Sequence, residues 1–339
     1  MFDNKNGKTT ILVCSTGGTI GTVVNDNGKN DVSSDAASML LYEKYGVLAK
    51  AFPETENVVF KSIRPLETLS ENMTIPKWNA LIRALREVDY SEIDGLFILH
   101  GTDTLHMTAP LIARVMEDTG IPTVFVTSHR TLTDPEANGP ENFLNAVRLI
   151  LKLKNDNTYL SGADNTFVIY RNMDGISYIH KALELEECVG SSESFYSAGM
   201  KEFEKSKIFS SALDDKENKS FEKKFMTTPG DMKIKGEVLY IKPYVGINYD
   251  SFILDGVKAV LHDMYHSSTV NTEGEGCYSA ISLIKRCKER DIPFYVYPCN
   301  PETYRYESTA RLLAEGAIPL EKGTWNSNYI DLMIKPEKN

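Results

Sequence analysis

Thr16-Gly17-Gly18-Thr19-Ile20 follows the apolar run Ile11-Leu12-Val13, and His100-Gly101-Thr102-Asp103-Thr104 follows Leu96-Phe97-Ile98-Leu99. Each pairing reads as a buried strand that ends in a glycine–threonine turn. In an open parallel sheet, ligands bind at the carboxyl ends of the strands, where loops converge and helix N-termini present amide donors. Two hydroxyl-bearing turns at such an edge imply nucleophilic chemistry.

Outward from these turns, short apolar runs alternate with amphipathic stretches. Strands are expected near 10–15, 57–62, 95–99, 122–127 and 165–170, with helices near 75–88, 105–119 and 140–154. Thr74 before Pro76-Lys77-Trp78 predicts an N-cap with proline in the first turn. Between 201 and 235 the composition shifts to Lys, Glu, Asp, Ser and Phe without sustained period, as in a connection between domains. Strands near 236–242, 259–262 and 293–298 follow, with helices near 276–290, 308–315 and from Trp325 to Ile334. The fold class is α/β: a larger N-terminal parallel-sheet domain with helices on both faces, and a smaller C-terminal α/β domain. The domain bounds read as 1–200, a linker over 201–235, and 236–339.

The 339 residues, 42% hydrophobic and 25% charged, suffice for two soluble domains. A net charge of -10 argues against a nucleic-acid surface, which needs clustered Lys and Arg. The polar N-terminus lacks a signal-peptide core, and no run is long and apolar enough to span a bilayer. Five scattered cysteines without CxxC spacing fit reduced thiols. A cytoplasmic protein acting on a small molecule is expected, without metal or cofactor.

A threonine hydroxyl is a poor nucleophile near neutral pH unless a base and an oxyanion site stand beside it. Gly17 and Gly18 let the backbone approach a ligand, with Thr19 projecting from the turn; Gly101 does the same for Thr102. Asp103 is placed to orient a lysine in a Thr-Lys-Asp relay. Hydrolysis or transfer at a small amide or ester is the natural chemistry. The first turn alone also fits a phosphate cradle, but the run lacks the downstream Lys-Ser or Lys-Thr of a P-loop and the full GxGxxG spacing. His100 reads as structural, and His106, His129, His262 and His266 form no metal-binding pair on one helix.

Together the two turns resemble the bacterial-type L-asparaginase and glutaminase family of threonine amidohydrolases. Further likeness lies in Leu69-Ser70-Glu71-Asn72-Met73-Thr74, in Ala137-Asn138-Gly139-Pro140-Glu141-Asn142 and in Ile179-His180-Lys181. The resemblance implies Thr19 as nucleophile, with Thr102, Asp103 and Lys181 as a second catalytic cluster. Ser70 would hold the substrate α-carboxylate and Glu71 and Asp103 its α-ammonium, with Gly18 and Ser128 completing the binding set. It further implies hydrolysis of L-asparagine to aspartate and ammonia, with glutaminase activity alongside. A homodimer or homotetramer is implied, in which residues from 263–275 or Asn300 to Tyr306 reach a neighbouring site.

The chain also departs from the family. Gly21 to Val32 lacks the lid tyrosine, leaving Tyr42 or Tyr45 as candidates, and His262 to Asn271 replaces a glycine-asparagine-rich loop. Another small ω-amide as substrate, or an amino-acid-binding homologue without turnover, are the alternatives these departures motivate. Ser70-Glu71-Asn72-Met73 is similar to the asparaginase-like subunit of the glutamyl-tRNA amidotransferase. That subunit carries an extra N-terminal domain, whereas the first strand here begins about ten residues from Met1, so no tRNA partner is expected.

Overall fold

The structure is a computed structural model describing residues 7–24, 30–32, 34–156, 162–205, 234, 236–274, 276–304 and 306–334. The chain divides into two compact units, Met1–Lys233 and Ile234–Asn339.

In the first unit the elements run β1 (Thr9–Ser15), β2 (Thr22–Val24), β3 (Asn30–Val32), α1 (Ser34–Ala49), β4 (Val58–Ile63) and α2 (Ile75–Arg86). They continue through β5 (Gly95–Leu99), α3 (Leu105–Met116), β6 (Thr123–Val126), α4 (Gly139–Asn155), β7 (Thr166–Arg171), β8 (Ser177–Lys181) and β9 (Lys201–Glu202). Seven strands form one sheet in the order β4-β1-β5-β6-β7-β8-β9. The first five are parallel, and the β7–β8 and β8–β9 pairs are antiparallel. Ser15 pairs with Leu99, Leu99 with Val126 and Val126 with Ile169, so β1, β5, β6 and β7 finish along one rim.

Strand periodicity assigns the two faces. Ile11, Val13, Phe97, Leu99, Val124, Val126, Phe167 and Ile169 pack with Leu41 and Tyr45 of α1 and Phe143, Val147 and Ile150 of α4. Phe143 meets Phe97, Tyr45 and Tyr42 edge-on, with centroids 5.3, 5.4 and 5.9 Å away. No residue of α2 or α3 joins this cluster; these helices take the opposite face, where Trp78 Nε1 donates to Thr108 Oγ1 at 3.0 Å. Burial of β5 on both faces explains its unbroken apolar run.

The second unit comprises β10 (Val238–Ile241), β11 (Ala259–Asp263), α5 (Ala280–Lys288), β12 (Phe294–Tyr297), α6 (Glu307–Ala314), β13 (Ile318–Pro319) and α7 (Trp325–Ile334). Its four strands are parallel and lie in sequence order. The core centres on Val260, Val296, Leu283, Leu312 and Tyr249, whose hydroxyl lies 2.9 Å from His262 Nε2.

Three expectations change. Helix α1 lacks the apolar/polar contrast that marks a helix in sequence: Ala37, Leu41 and Tyr45 are buried while Met39, Val47 and Leu48 are exposed. Residues 201–205 belong to the first sheet and a following 3-10 turn rather than to a linker, and most of the remaining linker lies outside the described residues. Thr74 sits extended before α2 but makes no side-chain cap, although Pro76 does occupy the first turn.

Candidate active site

Gly17 and Gly18 have φ of 104° and 75°, left-handed values that favour glycine. A Cβ on Gly17 would fall 2.3 Å from the Thr68 carbonyl oxygen, and one on Gly18 2.2 Å from the Gly101 nitrogen. A Cβ on Gly101 would fall 2.4 Å from Ser70 Oγ. Three loops therefore meet backbone to backbone: the turn after β1, the segment before α2 and the turn between β5 and α3. Gly18 N donates to Thr68 O at 2.9 Å, Thr68 N to Thr16 O at 3.0 Å, and Thr16 N to Leu99 O at 3.0 Å. Thr16 Oγ1 also donates to Leu99 O at 2.8 Å.

This junction places Thr19, half-buried at the start of a short 3-10 turn, next to the glycines that touch the Thr102–Asp103 loop. Thr102 is half-buried and Asp103 exposed, just ahead of α3. Ser70, buried, donates its hydroxyl to Asp103 Oδ2 at 2.9 Å and accepts from Asp103 N at 3.2 Å. Thr104 Oγ1 donates to Ser70 O at 2.9 Å. Glu71 projects from the Ser70–Asn72 turn into solvent. Thr19, Gly18, Ser70, Glu71, Thr102 and Asp103 thus belong to one joined group of loops at the carboxyl rim.

Lys181 stands apart from that group. It pairs in the sheet with Phe167, the second residue of β7, near the amino end of the parallel strands. Its Nζ lies 3.4 Å from Asp164 Oδ1, in the turn before β7. Strand alternation gives the α3-side face to the preceding His180, which pairs with Val168. His180 is fully buried, with Nδ1 2.9 Å from Ser197 Oγ, and burial pulls its pKa down to about 4.

Ser128 is likewise committed elsewhere. Fully buried after β6, it donates to Arg130 O at 2.6 Å and accepts from Gly139 N at 3.2 Å, fastening the start of α4. Tyr42 and Tyr45 are core residues of α1: the Tyr42 ring packs on Phe60 with centroids 5.3 Å apart, and Tyr45 is 8% exposed. Part of the expected lid, residues 25–29, lies outside the described residues.

His100 is structural: its Nδ1 lies 2.8 Å from Gly101 O, a pure acceptor, so the proton sits on Nδ1, and burial holds its pKa near 4. Thr68 and the folded-back segment 185–197 escaped sequence reading. The latter closes through the bridges Leu185–Ser197 and Val189–Ser194. Burial drives the Cys188 thiol up to about 11, and the carboxylates of Glu193, Asp103 and Glu187 add to it. Only the three-dimensional return of the chain after β8 brings this acidic segment near Asp103.

Comparison with known proteins finds a likeness to the asparaginases in the first unit. Residues 10–168 match the family model for the N-terminal domain of asparaginase. The chain is 32% identical over 142 residues to L-asparaginase 1 of Escherichia coli K12, and 31% identical over 149 residues to one of the subunits of the glutamyl-tRNA(Gln) amidotransferase of Methanosarcina mazei. The matches take in 41% and 44% of this chain and span only 40% and 33% of those relatives' lengths. Among solved structures, L-asparaginase I of Vibrio cholerae aligns with TM-score 0.69 at 18% identity, covering 96% of this chain and 92% of that one. The thermostable L-asparaginase of Thermococcus kodakarensis aligns with TM-score 0.67 at 19% identity and the same coverage. The sequence likeness is thus confined to the first unit, and the fold likeness takes in both units. Among the described residues, no helix is long and apolar enough to cross a membrane.

Proposed function

We propose that this protein is an amidohydrolase that converts L-asparagine to L-aspartate and ammonia through an acyl-enzyme on Thr19. The observation that carries this reading is the backbone contact of Gly18 with Gly101, with the Ser70 side chain packed against Gly101, which joins the Thr19 loop to the Thr102–Asp103 loop. In the first step Thr19 Oγ1 bonds to the side-chain amide carbon, the C–N bond breaks, and the hydroxyl proton leaves with the nitrogen as ammonia. Water then attacks the ester, releasing the carboxylic acid and restoring the threonine hydroxyl, with Thr102 positioning that water. Ser70 and Asp103 form a polar pair suited to the two charges of a free amino acid, and charge-assisted hydrogen bonds would fix its orientation.

Glutamine differs from asparagine by one methylene, a distinction worth only ~1–3 kcal/mol in an apolar pocket, so glutaminase activity accompanies this reading. Five cysteines with no disulfide among them support a reducing, cytoplasmic setting. The test is ammonia release from asparagine, glutamine and larger ω-amides by the wild type, Thr19→Ala and Thr102→Ala. Turnover of one amide by the wild type and its loss in both variants is expected. Tight amino-acid binding with no ammonia from any amide would replace the enzyme with a binding protein.

A further inference from the structure

We infer that Lys77 is a positioning residue that holds the substrate-binding turn Ser70–Asn72 in place. The inference rests on the functional reading above. Lys77 lies in the first turn of α2, and its Nζ donates to Thr68 Oγ1 at 2.7 Å and to Asn72 O at 2.8 Å. These two acceptors bracket Ser70 and Glu71, one on each side in sequence. Thr68 is also the residue against which Gly17 packs, and its backbone exchanges hydrogen bonds with Gly18 N and Thr16 O. A single ammonium therefore ties the floor of the Thr19 turn to the far end of the Ser70–Glu71 turn.

The chemistry suits the task. Lysine is a point cation with three rotatable donors, so it serves two acceptors that face it from different directions. Charge-assisted hydrogen bonds of this kind are shorter and about twice as strong as neutral ones. Lys77 acts through Thr68 and Asn72 on Ser70, whose hydroxyl meets Asp103 at 2.9 Å. Loss of the ammonium should loosen the group that receives the substrate and leave the reacting threonines intact.

The experiment compares wild type, Lys77→Met and Lys77→Arg by steady-state kinetics, thermal melting and hydrogen exchange at amides 68–72. Lys77→Met is expected to raise KM about tenfold with kcat within about threefold, and to speed exchange over 68–72. Lys77→Arg, retaining charge and several donors, should recover most of the KM. Unchanged KM and exchange in Lys77→Met would overturn the inference, as would a lowered Tm with kcat lost in both variants. If the wild type hydrolyses no amide, the functional reading fails by itself. Exchange over 68–72 then decides the question for Lys77, and an unchanged rate overturns it.

Discussion

Gly18 and Gly101 lie backbone against backbone, with a Cβ on Gly18 only 2.2 Å from the Gly101 nitrogen. That contact brings two chain segments far apart in sequence into one site, and it tolerates no side chain on either residue. Gly18→Ala combines this clash with a left-handed φ, and neither neighbour is a flexible side chain that could swing away. A loss of about 2–5 kcal/mol in denaturant unfolding is expected, together with loss of turnover. A variant with the wild-type midpoint and wild-type rate would contradict the junction.

Lys181 pairs with Asp164 while 44% of its side chain is exposed, so the pair itself contributes little to stability. Lys181→Ala should keep kcat within about threefold of wild type and leave the melting midpoint nearly unchanged. A large fall in kcat with KM preserved would restore Lys181 to the catalytic cluster.

Four buried histidines make stability depend on pH, and burial lowers the pKa of His106 as it does those of the other three. Burial lowers the pKa of His100, His180 and His262 to about 4, with the Gly101 and Asp263 carbonyls opposing it at His100 and His262. An unfolded histidine takes up its proton near pH 6.5. Between these values the unfolded chain binds more protons, so stability is fully present above about pH 6.5 and declines as the pH falls toward 4. The decline is on the order of 3 kcal/mol for each of His100, His180 and His262 over the whole window. Urea midpoints at pH 7.5 and pH 5 should differ accordingly; equal midpoints would show that these rings are not buried as neutral imidazoles.

The rings of Tyr42 and Tyr45 pack against Phe60 and Phe143, so their hydroxyls are expected to contribute nothing to turnover. Tyr42→Phe and Tyr45→Phe should retain kcat/KM within about twofold. The opposite choice, Phe143→Ala, removes the ring that both tyrosines and Phe97 pack against, and should cost about 3–5 kcal/mol. Stability loss confined to the phenylalanine variant supports this division, whereas a tyrosine variant that folds normally but loses turnover would overturn it.

Strands β1 and β5 were legible because each holds a continuous apolar run with a glycine two residues beyond the strand, and the 95–99 bounds coincide with the observed strand. The positions of Thr19, Thr102 and Asp103 at the carboxyl rim were legible because each lies in a short motif just after such a strand, while Ser70 was read from its own Ser70-Glu71-Asn72-Met73 motif. Lys181 is implied by resemblance alone, and the strand pairing that sets it opposite Phe167, near the amino end of the parallel strands, is not written in its local motif. Ser128 was read from its place after β6, which says nothing about where its hydroxyl points. Helix α1 escaped because apolar residues surround it, and Lys77 because its partners Thr68 and Asn72 are set by loop folding that no local pattern encodes.

The central claim is covalent chemistry at Thr19 supported by Thr102. Its most direct measurement is acid quenching of Thr102→Val during incubation with L-asparagine, followed by peptide mapping by mass spectrometry. An aspartyl ester is expected on the peptide containing Thr19, absent from Thr19→Ala under the same conditions. Ammonia release by Thr19→Ala at the wild-type rate, with no adduct on that peptide in any variant, would contradict it.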